Sequence, residues 1–458
     1  MMLRSGIMEV IMDRNIGHIF FIGIGGISMS GLAELMLNNN VKVSGSDENN
    51  SELIEKLQKD GAKIYIGHKK ENITNNIDLL VYTSAIRDDN EELIRAKELG
   101  IKIQGRAEFL GNIMREHNHS IAVSGTHGKT TTTGMLSSIL VNSTLDPTIF
   151  LGGELNAIGG NIKIGNRDLL LTEACEYKRN FLNFNPTISI ILNIDEDHLD
   201  YYKDINDINN AFIEFANKLP SEGLLIVNDK NKHLFNNINS RIVTFGLNNT
   251  SDIYAENIEY SPYPKFTVVY NNEKFDVELS VFGEHNILNS LSVIVTSIEL
   301  GIDVDTIKLG LKEFTGTKRR YELKGIKEGI TIIDDYAHHP EEIKATLTSA
   351  RRNTQDKVIT IFQPHTYTRT KALMEQFAKV FELTDEIIIV DIYASREKDT
   401  GLVNSKELVE ATKKYNVNAV YADSFQSAAS LALKKASIGD IIITMGAGNV
   451  HEIAKLLL

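Results

Sequence analysis

Ile121-Ala122-Val123-Ser124-Gly125-Thr126-His127-Gly128-Lys129-Thr130-Thr131-Thr132-Thr133 reads as the end of a buried strand, a glycine-rich loop and the first turns of a helix. The glycines let backbone N–H groups crowd round a phosphate. Lys129 reaches the outer phosphates, and Thr130 offers a hydroxyl to Mg²⁺ at the positive end of the helix. Such a loop handles ATP. A strict Walker A string would have Gly where this chain has Val123, so the reading rests on the compressed Gly-x-x-Gly-Lys-Thr form in its strand-to-helix setting; an ordinary glycine turn is the alternative.

Outward from that loop, short runs rich in Ile and Val alternate with amphipathic segments of helical length, the pattern of parallel sheets wound by crossover helices. Ile19-Phe20-Phe21-Ile22, Val41-Lys42-Val43, Lys63-Ile64-Tyr65-Ile66 and Leu79-Leu80-Val81-Tyr82 form a first block, closed by the polar linker His117-Asn118-His119-Ser120. Leu169-Leu170-Leu171, Ile188–Leu192 and Leu224–Val227 follow the loop, then alternating strand-like sequence from Ile253 to Val281. Ile330–Ile333, Val358–Ile361, Ile387–Val390 and Ile441–Ile443 make a third block. The expected fold is therefore α/β in three domains, 1–116, 117–322 and 323–458, with the central one built on the phosphate loop.

At 458 residues, 42% hydrophobic and 24% charged, each domain can bury a core. The formal charge of −13 argues against a nucleic-acid binder. A single cysteine, Cys175, excludes an internal disulfide and fits a reducing compartment. The first residues lack the apolar run of a secretion signal, and no stretch approaches the roughly 20 apolar residues of a membrane helix, so a cytoplasmic protein without membrane insertion is expected.

Gly23-Ile24-Gly25-Gly26-Ile27-Ser28 after the first strand, with Asp47 closing the second, resembles a dinucleotide fingerprint, except that Ser28 stands where Gly or Ala belongs. The loop suits any pyrophosphate ligand, a UDP-sugar included; a ligand-free glycine turn is the bland alternative. In the central block, strand ends deliver Glu173 and His198 to the crevice that the phosphate loop shares. Glu173 beside Thr130 is a sound oxygen pair for Mg²⁺, whereas His198 alone reads as a loop or cap residue, and Cys175 as a small buried residue without a base. Four later polar clusters are denser in His, Arg and Asp than ordinary loops: Gly283–Asn289, Lys318–Glu322, Asp334–Pro340 and Gln363–Arg369. Zinc is disfavoured there, since the paired His338 and His339 lack a cysteine partner or ligand spacing.

Gly23–Ala33, the Gly-Thr-His-Gly-Lys-Thr loop, Asp334-Asp335-Tyr336-Ala337-His338-His339-Pro340 and Gln363-Pro364-His365 occur in this order, and together they closely resemble the Mur ligases of peptidoglycan synthesis, in their alanine-adding branch. The resemblance runs from about Ile19 to Gly446-Ala447-Gly448-Asn449. It implies a Rossmann-like N-terminal domain for the UDP part of the substrate, a central P-loop domain for Mg-ATP, and a Rossmann-like C-terminal domain that closes over ATP and the amino acid. The implied reaction joins L-alanine to the lactyl carboxylate of UDP-N-acetylmuramate through an acyl phosphate.

By the same resemblance, Lys129, Glu173, His198 and His338 are the expected catalytic residues, with Thr130 and Glu173 on one Mg²⁺ and His198 on a second. Gly125, Thr126, His127, Gly128, Lys129, Thr130, Thr131, Asn286, Asn289, Arg320 and Asp335 would meet ATP. Gly25, Gly26, Ser28, Asp47 and Ser84 would serve the UDP end, and Tyr336, His338, His365 and Arg369 the alanine, where a guanidinium can pair with the carboxylate. Two departures stand out. Ala211-Phe212-Ile213-Glu214-Phe215 lacks the lysine that many relatives carbamylate, and Cys175 replaces a common Asp. The implied protein is a monomer or weak homo-oligomer. Rival readings are a nicotinamide oxidoreductase, which leaves the phosphate loop idle, a non-catalytic nucleotide-binding regulator, and a recycling ligase of the same family that attaches a whole murein tripeptide.

Overall fold

The structure, a computed structural model, describes residues 16–199, 201–260, 263–395, 397–415 and 417–458. They pack as two compact units: the described residues up to Ile194 with Asn209–Thr244, and Asp195–Ile208 with Phe245–Leu458.

The first unit begins with β1 (His18–Ile22), α1 (Ile27–Asn38), β2 (Lys42–Asp47), α2 (Glu52–Lys59), β3 (Lys63–Ile66), β4 (Leu79–Tyr82), α3 (Glu91–Glu98), β5 (Lys102–Gly105) and α4 (Arg106–Arg115). These strands form a wholly parallel sheet in the order β3-β2-β1-β4-β5, which is the Rossmann half. β1 is buried at every position, as a central parallel strand covered on both faces must be. The order reverses between β1 and β4, and this opens a crevice at the carboxyl ends of the strands.

Next come β6 (His119–Ser124), α5 (Lys129–Asn142), β7 (Thr148–Leu155), β8 (Gly160–Lys163), β9 (Leu169–Glu173), β10 (Ile188–Ile191), α6 (Ile205–Ala216) and β11 (Leu224–Asn228). Within this unit they order as β11-β10-β6-β9-β7-β8, parallel except for β8 against β7. Half of the expected linker is strand: His119 and Ser120 pair with Leu169 and Leu170, and the Ser120 N–H and hydroxyl are satisfied by Thr187 and Asn185. Polar residues begin β6 because each finds a local partner. Helix α4 leans on the turn after β9 at Gly111, where a Cβ would stand 2.2 Å from the Asn183 carbonyl oxygen.

β12 (Arg241–Gly246) leads into the second unit, pairing in parallel with β13 (Ile253–Glu259) at Phe245 and Gly246. β14 (Lys265–Tyr270) and β15 (Glu273–Glu278) continue as an antiparallel meander, with Asn271 and Asn272 at φ +50° and +64° supplying the hairpin turn. After α7 (Glu284–Glu299) and α8 (Val304–Glu313) come β16 (Glu322–Lys327), β17 (Ile330–Asp335), α9 (Pro340–Asn353), β18 (Val358–Phe362), α10 (Tyr367–Ala372) and α11 (Met374–Val380). The chain ends with β19 (Glu386–Ile389), α12 (Ser405–Lys413), β20 (Asn418–Tyr421), α13 (Phe425–Lys435), β21 (Ile441–Met445) and α14 (His451–Leu457). The last sheet runs β16-β17-β21-β18-β19-β20, parallel except for β16, with apolar clusters on both faces. The architecture is thus the expected α/β one, with a Rossmann-like sheet at each end and a phosphate-loop sheet between them in sequence. No helix among the described residues is long and apolar enough to cross a membrane.

Candidate active site

β6, an interior strand between β10 and β9, delivers the glycine loop to the carboxyl end of the first unit's second sheet. Gly125 and Gly128 sit at φ +141° and +85°, so the loop curls back on itself before α5 begins at Lys129. Asn193, just past β10, pins it: its carbonyl oxygen accepts from the Thr126 N–H at 3.1 Å and its Oδ1 from the His127 N–H at 2.8 Å. Its own amide donates back to the His127 carbonyl at 3.1 Å. The loop geometry is therefore built before any phosphate arrives.

Lys129 Nζ donates to the carbonyls of Gly125 (2.5 Å) and Thr126 (3.1 Å) and to Glu176 Oε2 (2.9 Å). Burial works against the charged ammonium, yet Glu176, and after it Cys175 and Glu173, hold its pKa above the ordinary lysine value. Thr130 and Glu173 do come together, the hydroxyl donating to Oε2 at 2.9 Å, while Glu173 Oε1 takes the Gly152 N–H at 2.6 Å. A Cβ on Gly152 would lie 2.7 Å from that carboxylate, so only glycine admits the acid there. Both groups are hard oxygen donors at a helix start, which suits a divalent cation of the Mg²⁺ type. Among the described residues no cluster of three His, Cys, Asp or Glu side chains forms a complete metal cage. Any ion there would complete its shell with water and substrate oxygens.

Cys175 is half-buried rather than buried, with its thiol pushed up by burial and then by Glu176, which argues against a nucleophile. The Arg106 guanidinium, at the start of α4, is lowered by burial against the pull of Cys175 and Glu173. In the N-terminal sheet, the Gly25 N–H donates to Asp47 Oδ2 at 2.9 Å, tying the first glycine loop to the end of β2. Gly26 caps α1, Ser28 lies in its first turn, and Ser84 is exposed in the turn after β4.

The second unit gathers another set. His338, expected to line one pocket with Tyr336, His365 and Arg369, lies 5.4 Å from the Tyr336 ring and 5.6 Å from the His365 ring. Arg369 Nη1 approaches His365 Nδ1 at 3.4 Å, and Nη2 pairs with Asp197 Oδ1 at 2.9 Å. This arginine bridges the loop carrying His198, an ion pair across 172 residues of chain that no spacing could reveal. Against the cost of burial, His198 and Arg369 hold the Asp197 carboxyl well below the usual range. His198 itself sits at φ +53°, with its N–H on Asp197 Oδ1 at 2.7 Å. His339 Nε2 meets the Glu196 carbonyl at 3.1 Å while its ring caps α9. Burial lowers His338 to about 4, so it is a neutral imidazole at pH 7, with Nδ1 against the Tyr336 carbonyl at 3.0 Å.

The Arg320 guanidinium lies 5.1 Å from the Tyr336 ring centroid. Asp335 spends both oxygens on backbone, accepting from the Ala337 N–H at 2.7 Å and the Tyr321 N–H at 2.8 Å, and burial raises it to about 6. It braces the loop that carries Tyr336. Asn286 and Asn289, both buried on the first turns of α7, bond each other at 3.1 Å.

Comparison with known proteins places these groups in a family. Residues 18–118 match the model described as "Mur ligase family, catalytic domain", residues 123–297 "Mur ligase middle domain" and residues 319–448 "Mur ligase, glutamate ligase domain". A UDP-N-acetylmuramate–L-alanine ligase of Clostridium botulinum (strain Okra / Type B1) is 50% identical over 454 residues, covering 98% of each chain. One from Clostridium tetani is 51% identical over 451 residues, covering 97% of this chain and 98% of its own. Among solved structures, the UDP-N-acetylmuramate–alanine ligase of Thermotoga maritima superposes with a TM-score of 0.81 at 30% identity, covering 96% of this chain and 98% of its own. A murein peptide ligase of Psychrobacter arcticus gives 0.73 at 27% identity, with the same coverages.

Proposed function

We propose, from the premise that this chain belongs to the Mur ligase family, how its residues carry out the family's ATP-dependent reaction on alanine. The protein ligates L-alanine to UDP-N-acetylmuramate in peptidoglycan precursor synthesis. The observation that carries this is half-identity to alanine-adding ligases along nearly the whole chain.

The chemistry divides into activation and capture. A carboxylate is a poor acylating agent, so the lactyl carboxylate attacks the γ-phosphorus and ADP leaves. The alanine amine then adds to the acyl phosphate, and phosphate departs as the amide forms. Little covalent help is required, and positioning and charge neutralisation supply most of the rate. Lys129 leaves Glu176 and its loop carbonyls for the transferring phosphoryl group. The backbone N–H groups of Gly125, Gly128 and Thr131 cradle the phosphates, while Thr126 and His127, whose N–H groups are held by Asn193, set the shape of the loop around ATP. Thr130 and Glu173 would hold Mg²⁺ and His198 a second ion, whose charge would offset that of the β- and γ-phosphates. Asn286, Asn289 and Arg320 take the adenosine end, with Asp335 bracing the loop beside them.

Arg369 has N–H groups beyond those facing Asp197 and His365, and these pair with the alanine carboxylate. Neutral His338, its Nδ1 engaged with the Tyr336 carbonyl, presents Nε2 as an acceptor towards the amine. Gly25, Gly26, Ser28, Asp47 and Ser84 serve the UDP end. On this reading segments 1–116, 117–322 and 323–458 hold the UDP-sugar, ATP and the amino acid, in a cytoplasmic monomer or weak homo-oligomer. Mass analysis of the product with ATP, UDP-N-acetylmuramate and either L-alanine or the murein tripeptide tests it. The alanyl product supports the reading, and a tripeptide product alone moves the chain to the recycling branch.

A further inference from the structure

A second polar network lies at the carboxyl ends of the N-terminal sheet, away from the phosphate loop. Its centre is Glu92, on the first turn of α3 and fully buried. One carboxylate oxygen accepts from the Ser46 hydroxyl at 2.6 Å and meets His68 Nδ1 at 3.0 Å; the other accepts from the Asn72 amide at 2.7 Å and the Lys69 N–H at 3.4 Å. A buried carboxylate is costly unless paired, and here it is saturated from two other chain segments, Ser46 on β2 and the stretch 68–72. The network is continuous with the first glycine loop, because Ser46 adjoins Asp47, whose Oδ2 holds the Gly25 N–H.

His68 is the one member that reaches outward. It follows β3, its side chain is 13% exposed, and Nδ1 also lies 2.9 Å from the Ser46 hydroxyl. No described residue bonds its Nε2. Holding the Nδ1 proton on a carboxylate fixes the aim of Nε2 and favours the protonated ring, in which Nε2 also carries a proton to donate. Beyond the end of β2 towards β3 is where a parallel sheet of this order receives the nucleoside, past the glycine loop that takes the pyrophosphate.

We propose that His68, oriented by Glu92, donates a hydrogen bond from Nε2 to an oxygen of the uridine moiety and so helps select a uridine nucleotide; Glu92 is its positioning residue. This rests on the reading that the N-terminal crevice takes a UDP-sugar. The carboxylates facing the ring are Glu92, Glu48 and Asp47, and Glu92, chiefly by its hydrogen bond, raises the imidazole above its ordinary value against burial. A charged ring is a donor at Nε2, so affinity is greatest at low pH and falls as pH rises through the His68 titration.

The test is calorimetric titration of the whole protein with UDP-N-acetylmuramate in the absence of ATP, from pH 6 to 9, for wild type, His68→Gln and Glu92→Gln. Both variants should weaken binding roughly tenfold at pH 6, where the wild-type ring is protonated, while leaving ATP affinity unchanged. The wild-type affinity should fall with rising pH, the fall should move to lower pH in Glu92→Gln, and His68→Gln should be flat. A merely structural staple would not move that midpoint. Wild-type affinity in His68→Gln, or an unshifted pH profile in Glu92→Gln, overturns the proposal. Should Glu92→Gln fail to fold, His68→Gln decides alone. Failure of the wild type to bind UDP-N-acetylmuramate would instead overturn the underlying reading, and this proposal with it.

Discussion

The glycine loop of the first unit and the His/Arg cluster of the second are both dense in functional groups, but they are assembled differently. Around Lys129, one short string supplies the turn, the cation and the hydroxyl, and tertiary structure adds Glu173, Glu176 and Asn193 from strand ends of the same sheet. Around Arg369, the groups come from two segments, Tyr336 and His338 from one and His365 and Arg369 from the other, and the charge is balanced by Asp197 from far along the chain. The first region is a glycine loop fixed by its own hydrogen bonds, whose lysine rests on loop carbonyls and a glutamate. The second is an ion-paired lattice in which the arginine already has an acid. On the proposed reading, in which Lys129 serves phosphate and Arg369 serves alanine, the first charge should act on the chemical step and the second on capture of the amino acid.

Substitutions can break or sharpen that contrast. The largest effect is expected from Lys129→Ala, which on the proposed reading removes charge stabilisation made mainly in the transition state: kcat should fall on the order of 10³-fold, and thermal unfolding should move to lower temperature because Glu176 is left buried without its cation. Next is Arg369→Ala, which on the proposed reading deletes a charge-assisted pair with the substrate carboxylate and leaves Asp197 with His198 alone of its two nearest cations. The alanine KM should rise roughly 10²-fold while the KM for ATP holds, read from initial rates. Gly152→Ala would press a methyl against Glu173, displacing the carboxylate from Thr130. A roughly tenfold loss of kcat/KM for ATP, partly recovered at high Mg²⁺, is expected from steady-state kinetics.

The smallest effect at neutral pH belongs to the ionisation of His338. Its folded pKa is about 4 against an ordinary 6.5, so the unfolded chain binds the proton first as pH falls. Its contribution to stability is complete above pH 6.5 and is lost as pH falls from there towards 4. Denaturant midpoints measured across that window should be flatter for His338→Gln than for the wild type.

The sequence carried the fold further than it carried the site. Buried strands such as Phe20–Ile22 and Ile441–Ile443 announce themselves because parallel sheets bury both faces. Short β5 and β8, by contrast, have mixed composition and escape notice. His117 and Asn118 do link α4 to β6, but the second half of the expected linker is strand because Ser120 is satisfied by Asn185 and Thr187, partners that only folding brings near. Contiguous motifs placed the Thr130–Glu173 pair and the Tyr336, His338, His365 and Arg369 group. Asn193, Gly152, Glu176, Arg106 and the Asp197–Arg369 pair act through contacts between distant segments, and no local spacing encodes those. The glycine pair Gly152-Gly153 after an apolar run was the one available hint.

The most direct test of the division between activation and capture is to replace L-alanine by hydroxylamine, which traps an acyl phosphate as a hydroxamate without needing an amino-acid pocket. With ATP and UDP-N-acetylmuramate, the wild type should form the hydroxamate, Arg369→Ala should form it nearly as well while failing to ligate alanine at ordinary concentrations, and Lys129→Ala should do neither. Loss of hydroxamate formation in Arg369→Ala as deep as in Lys129→Ala, in folded protein, would contradict the account.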